Sequence, residues 1–559
     1  MFLVKHICRS AFVKDKLQSP YLAEFRTRPA IERRAASIHV HIDGENGPST
    51  TDVINASLRA LSSLLQHSNG WQLGYIMQAA LDSIDELNSW EKLDQCRWLA
   101  RKACEWTQYQ YRYAVPTRLV ERLLESQDAY SASALQSALA AMVTTVFTSS
   151  IPLVNLSTSD IISNLITLVL RRVVINPEDS LLPTLVECIA SLGIHVYYSD
   201  QIQDLAEELI SRMVAVETQG VPGAQQNIKK GRSQALRSLL AGVLGIMHAA
   251  DKDGRAYARG EAEEGKERSK TTSGPVPPLS LAPVPAQDSH GRPSKRARVS
   301  PEIWHDTLSL LCDADYAVRA DYAEAFVFYL RNEIRKRGDS TDADGVKRIR
   351  PLADGPIQQA ANMKLLIHGD SATRALNAAH GYIYVLATAS SLGLDVGSQS
   401  SAAAVDAPSV NILPATPTTD TPAPNHDLPL QSQRQARRSM TNPSRKASVV
   451  QRAINALPSR ISASTAATAS DYAHILVMLT AVHEQLPVRG LLTGVPMLLT
   501  LDGATNAEDL TDAATLQRLW TIKEVITRVW MVIGKVWGCS ELVEIAENVN
   551  EYLFICETF

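Results

Sequence analysis

The sequence predicts an all-α fold, a solenoid of antiparallel helix pairs broken by two disordered insertions. Three observations predict it. Apolar residues recur at helical spacing in one segment after another. The connectors between those segments are too short for anything but antiparallel neighbours. Two Pro- and Ser-rich tracts interrupt the pattern and carry too few large apolar residues to repay ordering entropy. With 559 residues and 45% apolar content, the chain can fill a sizeable core.

The first clear helix runs from Thr51 to the Asn69-Gly70 stop, with Ile54, Leu58, Leu61 and Leu65 on one face. Trp71–Leu87 and Trp90–Tyr113 follow, and Pro116 stands where the next helix begins. Further pairs are Pro116–Leu124 with Ala129–Thr148, and Ser159–Val174 with Asp179–Leu192, the latter divided by the turn Asn176-Pro177-Glu178-Asp179. Ser199–Val216 and Ser233–Ala250 continue the pattern, the second weakened by Gly242 and Gly245.

Helical signal returns at Ile303–Leu311 and Tyr316–Ile334. The turn between them reads Leu-Leu-x-Asp-x-Asp-x-x-Val-Arg, from Leu310 to Arg319. That is the seam of a HEAT-type hairpin. The leucines close the first helix on the second, Asp313 and Asp315 can cap free amides, Val318 packs inward, and Arg319 can reach acidic groups of adjacent repeats. Ile357–His368 and Ala372–Ser390 are the next expected helices. The last ordered block holds Ile475–Leu486 and Leu516–Trp537, joined by a Gly/Pro-broken link through Pro487, Gly490 and Pro496, and ends with Glu541–Phe554.

The solenoid is therefore ARM/HEAT-like. Its expected divisions are a helical-repeat segment at 1–250, a disordered insertion at 251–300, a second helical segment at 301–392, a disordered Pro/Ser/Thr-rich tract at 393–445, and a C-terminal helical segment at 446–559.

The net charge of -4 and pI near 6.4 exclude a globally basic nucleic-acid coat. Seven scattered cysteines, mostly in apolar helix-like runs, fit a reduced intracellular protein. No stretch approaches the ~18 uninterrupted apolar residues of a membrane span, and charges after Met1-Phe2-Leu3-Val4 interrupt any signal-peptide core.

Catalysis finds no foothold. His39 and His41 share one face of a possible strand, but a metal site needs three or four convergent ligands and no second cluster accompanies them. Gly369-Asp370-Ser371 precedes a helix and reads as a cap. There is no phosphate-cradling loop, zinc-protease helix or Cys-x-x-Cys pair. No catalytic, metal-binding or cofactor residue is assigned.

Other features point to regulation and contact. Lys295-Arg296-Ala297-Arg298, followed by Ser300-Pro301, reads either as a nuclear-import peptide with a proline-directed phosphosite or as an exposed basic run. Ser439, after Arg437-Arg438, and Ser448, after Arg445-Lys446, look like targets of a basic-directed kinase. Trp98, Trp106, Tyr109, Tyr111 and Tyr113 interleave with Arg97, Arg101, Lys102 and Arg112. At helical spacing that mixture reads as repeat core with a basic edge in preference to a nucleic-acid surface. Lys5, Arg9, Lys14 and Lys16 surround Ile7, Phe12, Val13 and Leu17, a combination suited to a helix resting on anionic lipid at ~1 kcal/mol per cation.

Several stretches together resemble a known family: Ser157–Leu165, Pro177–Pro183, Tyr198–Leu205 and Leu310–Tyr316. They are similar to fungal members of the eighty-five-requiring (Efr, rolling blackout) family, the plasma-membrane anchor of the type III phosphatidylinositol 4-kinase complex. The likeness covers most of the ordered chain from about Leu17 onward, through motifs that are structural. It implies a rod of ARM/HEAT-like helices held at the inner leaflet by a basic surface near its N-terminus, or by lipidated cysteines in animal members. It implies a flexible C-terminal portion that recruits the kinase through a tetratricopeptide-containing subunit, with phosphorylation weakening that recruitment. Members carry further residues ahead of the point where this chain starts, so a shortened start is expected. Cys8 is then the conceivable lipidation site. The expected role is a scaffold at the cytosolic face of the plasma membrane that supports phosphatidylinositol 4-phosphate synthesis without catalysing it. The alternative reading is a soluble nuclear adaptor imported through Lys295–Arg298.

Overall fold

The computed structural model describes residues 2–12, 50–126, 131–195, 201–223, 229–268, 298–334, 339–341, 347–349, 371–388, 467–505 and 513–557. In chain order the helices of the first half are α1 (Phe2–Phe12), α2 (Thr50–His67), α3 (Gly70–Glu86), α4 (Leu93–Trp106), α5 (Ala114–Glu125), α6 (Ala134–Phe147), α7 (Thr158–Ile175), α8 (Leu181–Leu192), α9 (Gln201–Gln219) and α10 (Lys229–Arg268). The second half holds α11 (Pro301–His305), α12 (Tyr316–Asn332), α13 (Ser371–Thr388), α14 (Ala469–Gln485), α15 (Pro487–Ala504), α16 (Ala513–Trp537) and α17 (Ser540–Glu557).

The helices form two parallel rows. Even-numbered helices from α2 to α16 each pack against the next even one, and odd-numbered helices from α3 to α15 do the same, while α1 lies against α2 and α3. Most helices thus pack on a chain neighbour as well as on the equivalent helix of the following pair, which is the solenoid arrangement. One continuous apolar core runs between the rows from Cys8 to Ile533.

Local chemistry sets the helix starts. Asn69 with Gln72, Ser133 with Gln136, and Thr468 with Asp471 form reciprocal capping boxes at α3, α6 and α14. Gly245, which lowers helix propensity, is required where α10 crosses α8, because a Cβ there would sit 2.4 Å from the Ala190 Cβ. A weak spot in the sequence pattern is therefore a site of close helix approach.

The structure departs from the sequence reading at five places. The helix expected over Trp90–Tyr113 is shorter: the buried Trp90 indole donates to Asp85 Oδ1 at 2.6 Å and closes a loop, and the chain after Trp106 turns through a 3-10 segment, Tyr109–Tyr111. Helix α10 continues to Arg268, past Asp251 where the insertion was expected to begin, with no proline before Pro275. At its far end Val299 is buried. Ile303–Leu311 is α11 followed by a separate 3-10 turn, Leu308–Cys312.

The expected Gly/Pro-broken link after Leu486 is helix α15. Pro487 occupies the first turn, where no amide is needed, and Pro496 lies on an exposed side where the carbonyl that loses its donor is cheapest to serve with water. Finally, Asp339–Thr341 and Lys347–Ile349 pair as a short antiparallel ribbon, Asp339 opposite Ile349, where no strand was expected. The expected helix Ile357–His368 and the Pro-rich tract at 393–445 lie outside the described residues.

Candidate functional site

Chemically rich side chains converge on the seams between repeats. At the Leu310–Arg319 turn, Asp313 Oδ1 accepts the Asp315 amide and Asp315 Oδ1 accepts the Ala317 amide, each at 2.9 Å, so the aspartates close the turn and cap α12. Asp313 Oδ2 also pairs with Arg232 Nη1 of α10 at 2.7 Å. Val318 is fully buried.

Arg319 then crosses to the next even helix. Its Nε and Nη2 donate to Asp471 Oδ1 and Oδ2 of α14 at 2.9 and 2.8 Å, and its Nη1 donates to the Asp313 carbonyl at 2.8 Å. Asp471 Oδ2 in turn accepts the Thr468 amide and hydroxyl at 2.7 and 2.9 Å. Burial by itself lifts the Asp471 carboxyl, but these donors outweigh it and hold its pKa below the ordinary aspartate value. A two-pronged bond of this kind fixes orientation as well as separation. It fastens together helices whose contacting residues stand 152 positions apart.

Two other seams follow the same logic. Buried Arg172 of α7 pairs with buried Asp179, whose Oδ1 accepts the Leu181 amide at 2.8 Å at the start of α8, and burial lowers the Arg172 pKa. Arg518 of α16 donates to the Tyr472 hydroxyl of α14 at 2.9 Å and to the Ala387 carbonyl of α13 at 2.8 Å. These partners come together only on folding, and sequence reasoning missed Arg172, Asp471 and Arg518 as partners. Asp179 beside Pro177 marked its turn, but nothing local pointed to Asp471.

A further pair of polar groups was invisible in the sequence. His380 of α13 and His483 of α14 are buried beside Gly490 and Gly494 of α15; a Cβ at Gly494 would lie 3.1 Å from both Nε2 atoms. His380 Nδ1 meets the Leu376 carbonyl at 2.8 Å, while His380 Nε2 and both His483 nitrogens have no hydrogen-bond partner. Burial pushes both imidazoles down to about 4, with His483 adding to the effect on His380. Two nitrogen ligands do not make a metal site, and no group of three potential ligands occurs among the described residues. His39, His41, Gly369 and Asp370 lie outside the described residues, and Ser371 is buried at the first turn of α13.

The candidate lipid-contacting cations behave differently from one another. Lys5 pairs with Asp82 at 3.3 Å and Glu86 at 3.2 Å, and Arg9 pairs with Glu86 at 2.5 Å, so two cations of α1 meet two carboxylates of α3. The hydrogen bonds to Glu86 and Asp82 raise the Lys5 pKa. Lys14 and Lys16 lie outside the described residues. Cys8 of α1, a conceivable acylation site, is fully buried against the neighbouring helices, and burial pushes its thiol up to about 12, the reverse of the exposed, low-pKa setting of a reactive cysteine.

Ser300 is the N-cap of α11: its hydroxyl accepts the Ile303 amide at 3.4 Å, between buried Val299 and buried Pro301. A kinase binding an extended peptide reaches it only after this segment lifts from α12, where Val299 donates to Glu333 at 3.1 Å. Ser439, Ser448 and 295–297 lie outside the described residues. Among the aromatics, Trp98 and Trp106 meet edge-on at 5.9 Å and pack with Tyr111 and Tyr113 against the core, while Tyr109 is exposed beneath the Arg112 guanidinium. No described helix is long and apolar enough to cross a membrane.

Comparison with known proteins identifies the lineage. The sequence profile of the family described as "EFR3 protein" matches residues 30–241. Protein EFR3 of Cryptococcus neoformans var. neoformans serotype D (strain JEC21) is 32% identical over 96% of this chain and 49% of its own length. Protein EFR3 of Mycosarcoma maydis is 31% identical over 58% of this chain and 35% of its own, and that of Yarrowia lipolytica is 29% identical over 28% and 20%. The chain spans about half the length of the Cryptococcus relative. No solved structure matches it. A likeness that extends over nearly the whole chain, on a two-row helical solenoid, places the chain in the EFR3 family, of fungal type.

Proposed function

We propose that this chain is a non-catalytic peripheral scaffold that recruits a phosphatidylinositol 4-kinase complex to the cytosolic face of the plasma membrane. It thereby supports phosphatidylinositol 4-phosphate synthesis and makes none itself. Family membership across 96% of the chain carries the reading. The architecture is consistent with it. A solenoid offers long lateral faces for docking, and the best-formed charge constellations here are consumed in tying helices together at Arg172–Asp179 and Arg319–Asp471.

The kinase complex is engaged through its tetratricopeptide-containing subunit, and Ser439 and Ser448 control that contact by adding charge beside arginines when phosphorylated. Anionic lipids of the inner leaflet are the second partner. Lys5, Arg9, Lys14 and Lys16 supply the basic surface, although the charges of Lys5 and Arg9 are largely balanced by Asp82 and Glu86. Lys14 and Lys16 therefore matter more than their number suggests. This reading includes no nucleic-acid partner, in keeping with a net charge of -4 that excludes a globally basic coat.

The test is a fluorescent fusion of the chain within its complete protein, combined with affinity capture. Enrichment at the plasma membrane together with recovery of a lipid-kinase subunit is expected. A diffuse signal with no such subunit recovered sinks the proposal.

A further inference from the structure

Helix α1 spends on the solenoid the side chains that a lipid surface would use. Its residues Val4, Ile7 and Cys8 stand at i, i+3 and i+4; Cys8 is fully buried, and Val4 and Ile7 are half-buried against the core. Beside that row Lys5 Nζ meets Asp82 Oδ2 at 3.3 Å and Glu86 Oε1 at 3.2 Å, and Arg9 Nη2 meets Glu86 Oε2 at 2.5 Å. The Ser83 hydroxyl donates to the Lys5 carbonyl at 3.4 Å. Docked in this way, α1 turns its apolar row to α2 and α3 and its two cations to carboxylates of α3. Contact with the solenoid and contact with a bilayer through that row exclude each other.

The polar part of this contact is weakly held. The side chains of Lys5 and Arg9 are 29% and 44% exposed and those of Asp82 and Glu86 26% and 37%, so water and salt screen the pairs. At the Arg319–Asp471 seam the corresponding values are 4% and 1%. Residues 13–49 separate α1 from α2 in the chain, so contacts, and not a short connector, keep α1 in place. An anionic bilayer offers substitutes for both parts of the contact: its headgroups replace Asp82 and Glu86, and its acyl boundary takes up the apolar row. Without such a bilayer, the apolar surface of α2 and α3 that α1 covers keeps the helix docked.

We propose that α1 is a displaceable strap: docked on α2 and α3 in solution, it exchanges onto an anionic bilayer, trading Asp82 and Glu86 for lipid headgroups. The inference rests on the lipid contact proposed above and adds its regulation. The α3 carboxylates hold the lipid-binding helix in reserve, and only the undocked fraction of the chain presents Lys5, Arg9 and the row Val4, Ile7 and Cys8 to the membrane. Weakening the docked state therefore strengthens membrane binding, although it removes no charge from α1.

The experiment uses the full chain with vesicles of phosphatidylcholine alone or of phosphatidylcholine with phosphatidylserine. A carbodiimide condenses a lysine amine with a carboxylate that it touches, so mass spectrometry of the Lys5–Glu86 and Lys5–Asp82 linkages reports docked α1. The linkages should form in solution and with neutral vesicles, and fall roughly threefold or more in chain recovered on anionic vesicles. Asp82→Asn with Glu86→Gln should tighten binding to the anionic vesicles by roughly threefold or more. Glu544→Gln with Glu547→Gln, which makes the same change of net charge at exposed positions of α17, should give a smaller gain. If the chain binds anionic vesicles with its linkages undiminished, or if the two double variants bind alike, the strap is overturned and the lipid contact stands. If the chain binds neither vesicle, both fall, and if no linkage forms in solution, α1 is not docked as described and the strap falls alone.

Discussion

Removing the Arg319 guanidinium gives the sharpest test of how the two halves of the described solenoid are joined. Arg319 is 4% exposed and Asp471 1%, and the two share a bidentate pair at 2.8–2.9 Å. In Arg319→Leu the Asp471 carboxylate stays buried with only the Thr468 amide and hydroxyl as donors. Losing one partner of a buried pair costs about 3 to 5 kcal/mol. In a solenoid that loss acts locally, through neighbouring helix contacts.

The readout is therefore amide hydrogen exchange of α12 and α14, where a 3 kcal/mol loss accelerates exchange by roughly a hundredfold. Arg319→Leu with Asp471→Leu should recover most of the loss, because an apolar pair of similar volume is nearly neutral. The pH dependence carries a sign of its own. In the parent, Asp471 has a lowered folded pKa, so its contribution is present above the ordinary aspartate value and is lost as pH falls through the folded value. In Arg319→Leu burial dominates, the folded pKa rises above that of the unfolded chain, and the variant's deficit shrinks as pH falls toward 4. An exchange rate within threefold of the parent, or a deficit that does not change with pH, refutes the reasoning.

Three more outcomes follow from the geometry. His380 and His483 have folded pKa values of about 4, so the stability that their neutral forms provide is complete above about 6.5 and is lost as pH falls from there toward 4. Thermal melts between pH 7 and 4 should fall steeply in the parent and less steeply in His483→Leu; equal slopes contradict this. Gly245→Ala places a methyl 2.4 Å from Ala190 Cβ and should cost on the order of 1 to 3 kcal/mol, read as a lower unfolding temperature, whereas an unchanged one denies the close crossing of α8 and α10. Thiol labelling followed by peptide mass spectrometry should modify exposed Cys539 and spare Cys8, Cys96, Cys104 and Cys188 in the native chain, and rapid labelling of Cys8 would reopen acylation there.

Much of the architecture was legible because helix periodicity and short connectors are local properties. Ile202, Leu205, Leu209 and Met213, at helical spacing, lie on the buried face of α9. What failed was punctuation. Pro487 and Pro496 suggested a break, yet a proline in the first turn costs nothing, and the ~3 kcal/mol that an interior proline costs is borne at exposed Pro496 while its neighbours Met497, Leu498 and Leu501 are buried, so α15 continues through both. Trp90 suggested helix and instead pins a loop to Asp85. Glycines at 242 and 245 read as weakness until α8 was seen against them.

The site was less legible, for a different reason. Arg319 announced itself by its place after two aspartates, but its partner Asp471 lies 152 residues on, inside what reads as a helix start. Lys5 and Arg9 showed charge without showing that Asp82 and Glu86 oppose it.

The scaffold reading meets its most direct test in cells from which the chain is removed acutely, with phosphatidylinositol 4-phosphate and a kinase subunit imaged together at the plasma membrane. Loss of the lipid accompanied by release of the kinase subunit into the cytosol is the expected result. An unchanged lipid level, or a fall in lipid while the kinase stays at the membrane, contradicts recruitment as the function of this protein.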